Sequence, residues 1–224
     1  QDEIEVALQL IKERKLKGII FLGGWFSHDE KRLKQINVPF VLSTISMFEG
    51  VDKKIYSSVS VDDVKESKKA VDCLCEYGHE KIVMLAAQPW DESISGLRVQ
   101  GYKKALEERQ IPINENLIRY TFQEETAFTM ENGYKLMKEL LESDEEFTAV
   151  YAISDSMAIG ASKAILESGK KIPEDYSVMG FDGLDIAYYY NPSISTIRQP
   201  VEYMAKETSK ILFDLIENNA YNSH

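Results

Sequence analysis

Apolar residues along this chain alternate between two spacings. Ile4, Leu8 and Ile11 recur at helical intervals within residues 4–15, and the run Gly18-Ile-Ile-Phe-Leu22 that follows reads as a short buried strand ending at Gly23-Gly24. A short polar helix over 28–36, a strand over 38–42, a brief strand over 58–61 and a helix over 62–76 come next. Gly78 is placed to stop that last helix. Lys81 to Ala87 opens a second series, with helices over 95–109, 126–142, 155–168 and 201–218. Strands fall at 117–120, 148–153 and 177–180, and a β-branched run spans 194–197. Strands alternating with helices of this length imply βαβ units and mostly parallel sheets. The pattern predicts an α/β chain of two similar lobes: residues 1–79 with 195–224, and residues 80–194.

Composition narrows what such a chain can do. The 224 residues are 44% hydrophobic, enough for a sizeable core, and carry a formal charge of −11. A net-acidic chain does not suggest a nucleic-acid groove or an anionic membrane surface. No apolar run approaches the ~18–20 residues that would span a bilayer, and no signal peptide is visible at the start. The two cysteines, Cys73 and Cys75, point to different sides of a helix and read as half-buried hydrophobes. Two thiols without a disulfide framework fit a reducing cytosol. Of the three histidines, His28, His79 and His224, none falls in a cluster with metal-ligand spacing. His79 reads as a structural hydrogen-bonding residue where the chain crosses between lobes. There is no nucleophile elbow, P-loop or dinucleotide fingerprint. No cofactor, no metal and no enzymatic activity are expected.

The candidate chemistry lies at strand ends. In open α/β sheets ligands bind beyond the carboxyl ends of the strands. The strand over 177–180 leads to Asp182 and a Gly-rich turn, which makes Asp182 either a ligand acceptor or a cap for that turn. Arg98, at the start of a helix, offers five donors in a fixed plane, suited to vicinal hydroxyls, a carboxylate or a purine edge, unless it caps a helix or pairs with a glutamate. A cleft arginine of this kind is expected to carry little packing. Asp62 opens the helix over 62–76 as a ligand group of the first lobe or as its N-cap. Ser154 and Asp155 end one strand and open a helix, with Asp155 as a further candidate cap. Phe128 can offer a flat face to a sugar or a base, or pack in the core. Trp25 follows Gly23-Gly24 at a strand end, and Trp90 stands after the analogous strand of the second lobe.

Several of these segments together resemble the effector-binding region of LacI/GalR-type transcriptional regulators. The segments are Leu16-Lys-Gly-Ile-Ile-Phe21, Tyr77-Gly-His-Glu-Lys-Ile82, Ser95-Gly-Leu-Arg-Val-Gln-Gly-Tyr102 and Ser154-Asp-Ser-Met-Ala-Ile-Gly160. The most specific is Ile172-Pro-Glu-Asp-Tyr-Ser-Val-Met-Gly-Phe-Asp182 with Ser195-Thr-Ile-Arg-Gln-Pro200. Gly183 departs from the family pattern, which usually has a second Asp there, and Ser154 replaces its usual Asn. The resemblance implies two Rossmann-like lobes of the type I periplasmic-binding-protein kind, with a ligand cleft between them. It implies a small-molecule effector, a sugar or sugar derivative. Arg98, Asp182 and Phe128 would hold it from one side and Asp62 from the other, with Ser154, Asp155 and Trp25 nearby. It also implies a cytoplasmic homodimer that binds operator DNA through an N-terminal headpiece not in this sequence, and a fold cut at both ends. The alternative is an extracytoplasmic sugar-binding protein of a transporter, in which Gly-Phe-Asp-Gly is also frequent.

Overall fold

A computed structural model describes residues 2–23, 28–45, 51–91, 93–121 and 127–218. Trp25 lies outside the described residues. The chain forms two compact units, residues 1–61 with 200–224, and residues 62–199.

In the first unit three parallel strands, β1 (Ile19–Leu22), β2 (Phe40–Ser43) and β3 (Ser57–Val59), lie in that order. Every residue of β2 is buried, as its continuous apolar run requires. Helix α1 (Glu3–Arg14) buries Ile4 and Ala7 in a cluster with Phe21, Phe40 and Leu42. Asp2 caps it by accepting from the Glu5 amide at 3.0 Å. The short helix α2 (Glu30–Leu33) adds Leu33 to the same cluster.

In the second unit all five strands are parallel. They are β4 (Ile82–Ala86), β5 (Ile118–Tyr120), β6 (Ala149–Ala152), β7 (Ser177–Asp182) and β8 (Ser195–Arg198), in the order β5-β4-β6-β7-β8. The chain leaves β4 toward one edge and returns to its other side at β6, so the direction of winding reverses between them. Such a switch point opens a crevice at the carboxyl ends of the two strands. Helices α3 (Asp63–Glu76) and α4 (Ile94–Glu108) pack against each other, as do α5 (Met130–Leu141) and α6 (Asp155–Glu167). The central strands are wholly buried, and the fully enclosed Tyr102 hydroxyl donates to the Ile82 carbonyl at 2.8 Å.

The sequence pattern drew the crossings between lobes near 79/80 and 194/195, whereas the compact units divide at 61/62 and 199/200. Two contacts account for the difference. Helix α3 packs along α4, and β8 pairs with β7, so both belong to the second unit. The short helix α7 (Asp185–Tyr189), absent from the periodicity, occupies the stretch between these strands. The last helix, α8 (Val201–Glu217), covers the first unit's sheet, with Leu212 and Ile216 against Gly18 and Thr208 beside Ser43. Among the described residues no helix is long and apolar enough to cross a membrane.

His79 does bond across the sheet. Its Nδ1 lies 2.9 Å from the Thr148 hydroxyl and its Nε2 2.9 Å from the Ser177 hydroxyl, tying together the entrances to β6 and β7. Burial holds its pKa below the ordinary 6.5. The unfolded chain therefore takes up the proton more readily, and stability present above 6.5 is lost as pH falls below it. Denaturant titrations at pH 7.5 and 5.5 should show a smaller loss on acidification in His79→Gln than in the wild type. Equal losses in the two proteins would remove His79 from that role.

Candidate functional site

The geometry of the site begins with a close approach between two helices. A Cβ on Gly101 of α4 would meet the Val64 carbonyl of α3 at 2.4 Å. Only glycine lets the backbones come that near, and the contact sets Asp63, the neighbour of Val64, beside Arg98, one turn before Gly101. The Ser67 hydroxyl fastens the same seam by donating to the Arg98 carbonyl at 2.6 Å.

Arg98 is 3% exposed, and its donors are largely committed. Nε donates to Asp63 Oδ1 at 2.8 Å, and Nη1 donates to the Ile153 carbonyl at the end of β6 and, at 3.5 Å, to Asp182 Oδ1. The guanidinium carbon stands 3.6 Å from the centre of the Phe181 ring, a cation–π contact. Nη2 has no acceptor among the described residues. The expectation that a cleft arginine carries little packing is corrected here: this one is enclosed, stacked and ion-paired.

Asp182 ends β7 with φ at +123°, a conformation that L-residues rarely hold. Its Oδ1 also accepts from the Gln199 amide at 2.8 Å. Burial pushes its carboxyl above the ordinary range, with Arg98 and Gln199 opposing the shift. Asp63 shows the same pattern, raised by burial and opposed by Arg98. Gly183 follows at φ +76°, and a Cβ there would collide with Arg198 at 2.6–2.7 Å. The departure from the family's second Asp thus has a steric reason in this chain.

Ser154 and Asp155 hold the rim rather than face outward. The Ser154 hydroxyl caps α6 by accepting from the Met157 amide at 3.2 Å. Asp155 is fully buried and both its oxygens are occupied, one by the Thr196 hydroxyl at 2.6 Å and the other by the Leu184 amide at 2.7 Å. It ties α6 to the turn after β7.

The structure therefore brings Arg98 and Asp182 together, with Ser154 and Asp155 beside them. Asp62 is exposed and caps α3, accepting from the Lys65 amide at 3.0 Å; its neighbour Asp63, overlooked in the sequence, is the carboxylate that meets Arg98. A signal for Asp63 was present, because it falls in helical register with the buried Ser67, Ala70, Val71 and Leu74. Phe128 stands 39% exposed in the turn before α5, with no ring contact to Arg98. Gln88, on the loop leaving β4, was also overlooked. It is 2% exposed, and neither amide atom has a partner among the described residues.

Comparison with known proteins gives this arrangement its relatives. The profile of the periplasmic binding protein-like domain family matches residues 71–224. The HTH-type transcriptional regulator MalR of Clostridium butyricum is 38% identical over 223 residues, 99% of this chain and 65% of that protein. The structure of a transcriptional regulator CelR–cellobiose complex superposes with a TM-score of 0.83 at 28% identity, over 98% of this chain and 65% of that one. A LacI-family regulator from Enterococcus faecium with bound ribose gives 0.80 at 30% identity, over 97% and 77%. The chain spans less than two thirds of the length of the curated regulators it matches. These likenesses run through the segments that carry Arg98 and Asp182, and the chain belongs to the periplasmic binding protein-like family, in the form found in LacI-type transcriptional regulators.

Proposed function

We propose that this chain senses a sugar for a regulator that acts on operator DNA, with Arg98 and Asp182 holding the ligand from the second unit. The observation that carries the reading is the pairing of an uncommitted donor, Arg98 Nη2, with a carboxylate 3.5 Å from the same guanidinium. Asp182 ends β7, and Arg98 reaches from α4 to the Ile153 carbonyl just beyond β6, the strand beside the switch point. One hydroxyl can accept from Nη2 while its neighbour donates to Asp182. The relatives support this assignment, since their structures include cellobiose and ribose complexes.

Phe128, exposed and close in sequence to α5, is proposed as a stacking wall, and Asp62 and Trp25 as further contacts. Ser154 and Asp155 act by keeping the rim in shape. A headpiece outside these 224 residues would bind DNA, and paired half-sites would call for a dimer working in the cytoplasm. Effector can bias such a protein only by binding one of its arrangements better than another. The coupling is typically worth ~1–3 kcal/mol and is reciprocal with DNA. No catalytic step is proposed.

Calorimetry with cellobiose, glucose and ribose tests the assignment. Asp182→Asn should weaken the binding of whichever sugar the wild type takes by ~1.5–3 kcal/mol, the worth of a charged hydrogen bond; unchanged affinity would remove Asp182 from the site. Arg98→Ala should abolish binding and also lower stability by ~3–5 kcal/mol, because it strands Asp63 as a buried unpaired charge. In denaturant titrations, adding Asp63→Ala to Arg98→Ala should restore part of that stability without restoring binding. A double variant no more stable than Arg98→Ala alone would contradict the ion-pair account.

A further inference from the structure

Arginine grips a carboxylate or phosphate best with two parallel N–H groups from one edge of its fork. Arg98 has two such edges, Nε with Nη2 and Nη1 with Nη2. Asp63 holds Nε at 2.8 Å, and the Ile153 carbonyl and Asp182 hold Nη1. Each edge has lost one donor, so no two-pronged clamp is open. The charges point the same way. Asp63 and Asp182 both face this one guanidinium, with side chains 6% and 26% exposed, and Asp62 adds its charge beside Asp63. Arg198, in β8, acts on Asp155, which is itself buried. An incoming anion would meet one shared positive charge and two negative ones, in surroundings where water screens poorly. A hydroxyl meets none of this penalty, because it accepts from the lone Nη2 and donates to Asp182. Gln88, on the loop leaving β4, carries a neutral donor and acceptor, both buried and without a partner among the described residues.

We infer that Asp63, by occupying one edge of the Arg98 fork and balancing its charge, makes this half-site select a neutral polyhydroxyl ligand over its carboxylated or phosphorylated counterpart. The inference rests on the sugar-binding reading above. Asp63 acts through Arg98 and sets specificity without touching the ligand.

The test is calorimetry on the whole chain with matched pairs: glucose against glucuronate, ribose against ribose 5-phosphate, and cellobiose against its 6-phosphate. In at least one pair the neutral member should bind, at least tenfold more tightly than the anionic one. Asp63→Asn, which removes the charge but keeps an acceptor for Nε, should narrow that ratio several-fold. Asp63→Ala, which also frees the Nε–Nη2 edge, should narrow it further, and Asp63→Glu should leave most of it intact. Should the alanine variant fail to fold, the wild type and Asp63→Asn decide the matter. An anionic member binding as tightly as its neutral partner in the wild type would overturn the inference and leave the sugar-sensing reading standing. A ratio unmoved by Asp63→Asn would overturn the role of Asp63. Binding of no member of any pair would overturn the sugar reading and the inference with it.

Discussion

The ion pair between Arg98 and Asp63 fixes what this site can be. Two side chains, 4% and 6% exposed, meet at 2.8 Å, where neither charge could be left alone. That single contact orients the guanidinium, so that Nη1 reaches the Ile153 carbonyl and Asp182 while Nη2 has no acceptor among the described residues. It also accounts for the Arg-x-x-Gly spacing in α4. Arg98 supplies the charge, and Gly101 lets α3 come close enough for Asp63 to neutralise it.

The sheet supplies the rest of the frame. Three of the residues around Arg98 lie at or just beyond the carboxyl ends of β6 and β7, and Asp155 then joins α6 to the turn after β7 through Thr196 and the Leu184 amide. Asp182 sits in an unfavourable backbone conformation within this bracing. Strain of that kind persists only when the surroundings over-determine it. Here Gln199 holds both the carboxylate and the carbonyl of Asp182. The result is a carboxylate held in place by the protein itself, which would reduce the ordering that the proposed ligand must impose.

Much of this was legible in the residues. Strands β2, β4 and β6 are short apolar runs buried throughout, and the helices follow their apolar stripes, whereas β1, expected to be buried on the same pattern, buries only Phe21 and leaves Leu22 exposed. Asp182 and Arg98 each had a bland alternative, a turn cap for one and a helix cap or glutamate pair for the other, and the resemblance to LacI/GalR-type regulators at those segments is what singled them out. Asp63 was overlooked beside Asp62, because adjacent carboxylates at a helix start differ only by the rotation of one residue. The apolar stripe through Ala70, Val71 and Leu74 separates them, since Asp63 lies on that stripe and Asp62 caps the helix from outside. Gln88 left no trace in the pattern, because a lone amide in a loop carries neither periodicity nor charge. The division at 61/62 was likewise invisible, for an amphipathic helix shows that it packs but not on which sheet.

On the proposed reading, a sensor built this way would meet hydroxyls with a donor and an acceptor already aligned, and Asp63 would keep Arg98 from serving as a general anion trap. The most direct test is a crystal structure of the chain with a bound sugar. Ligand hydroxyls should lie within hydrogen-bond distance of Arg98 Nη2 and of the Asp182 carboxylate, while Asp63 still accepts from Arg98 Nε. A sugar bound elsewhere, or an Arg98 that has released Asp63 to grip the ligand with two parallel donors, would contradict the account.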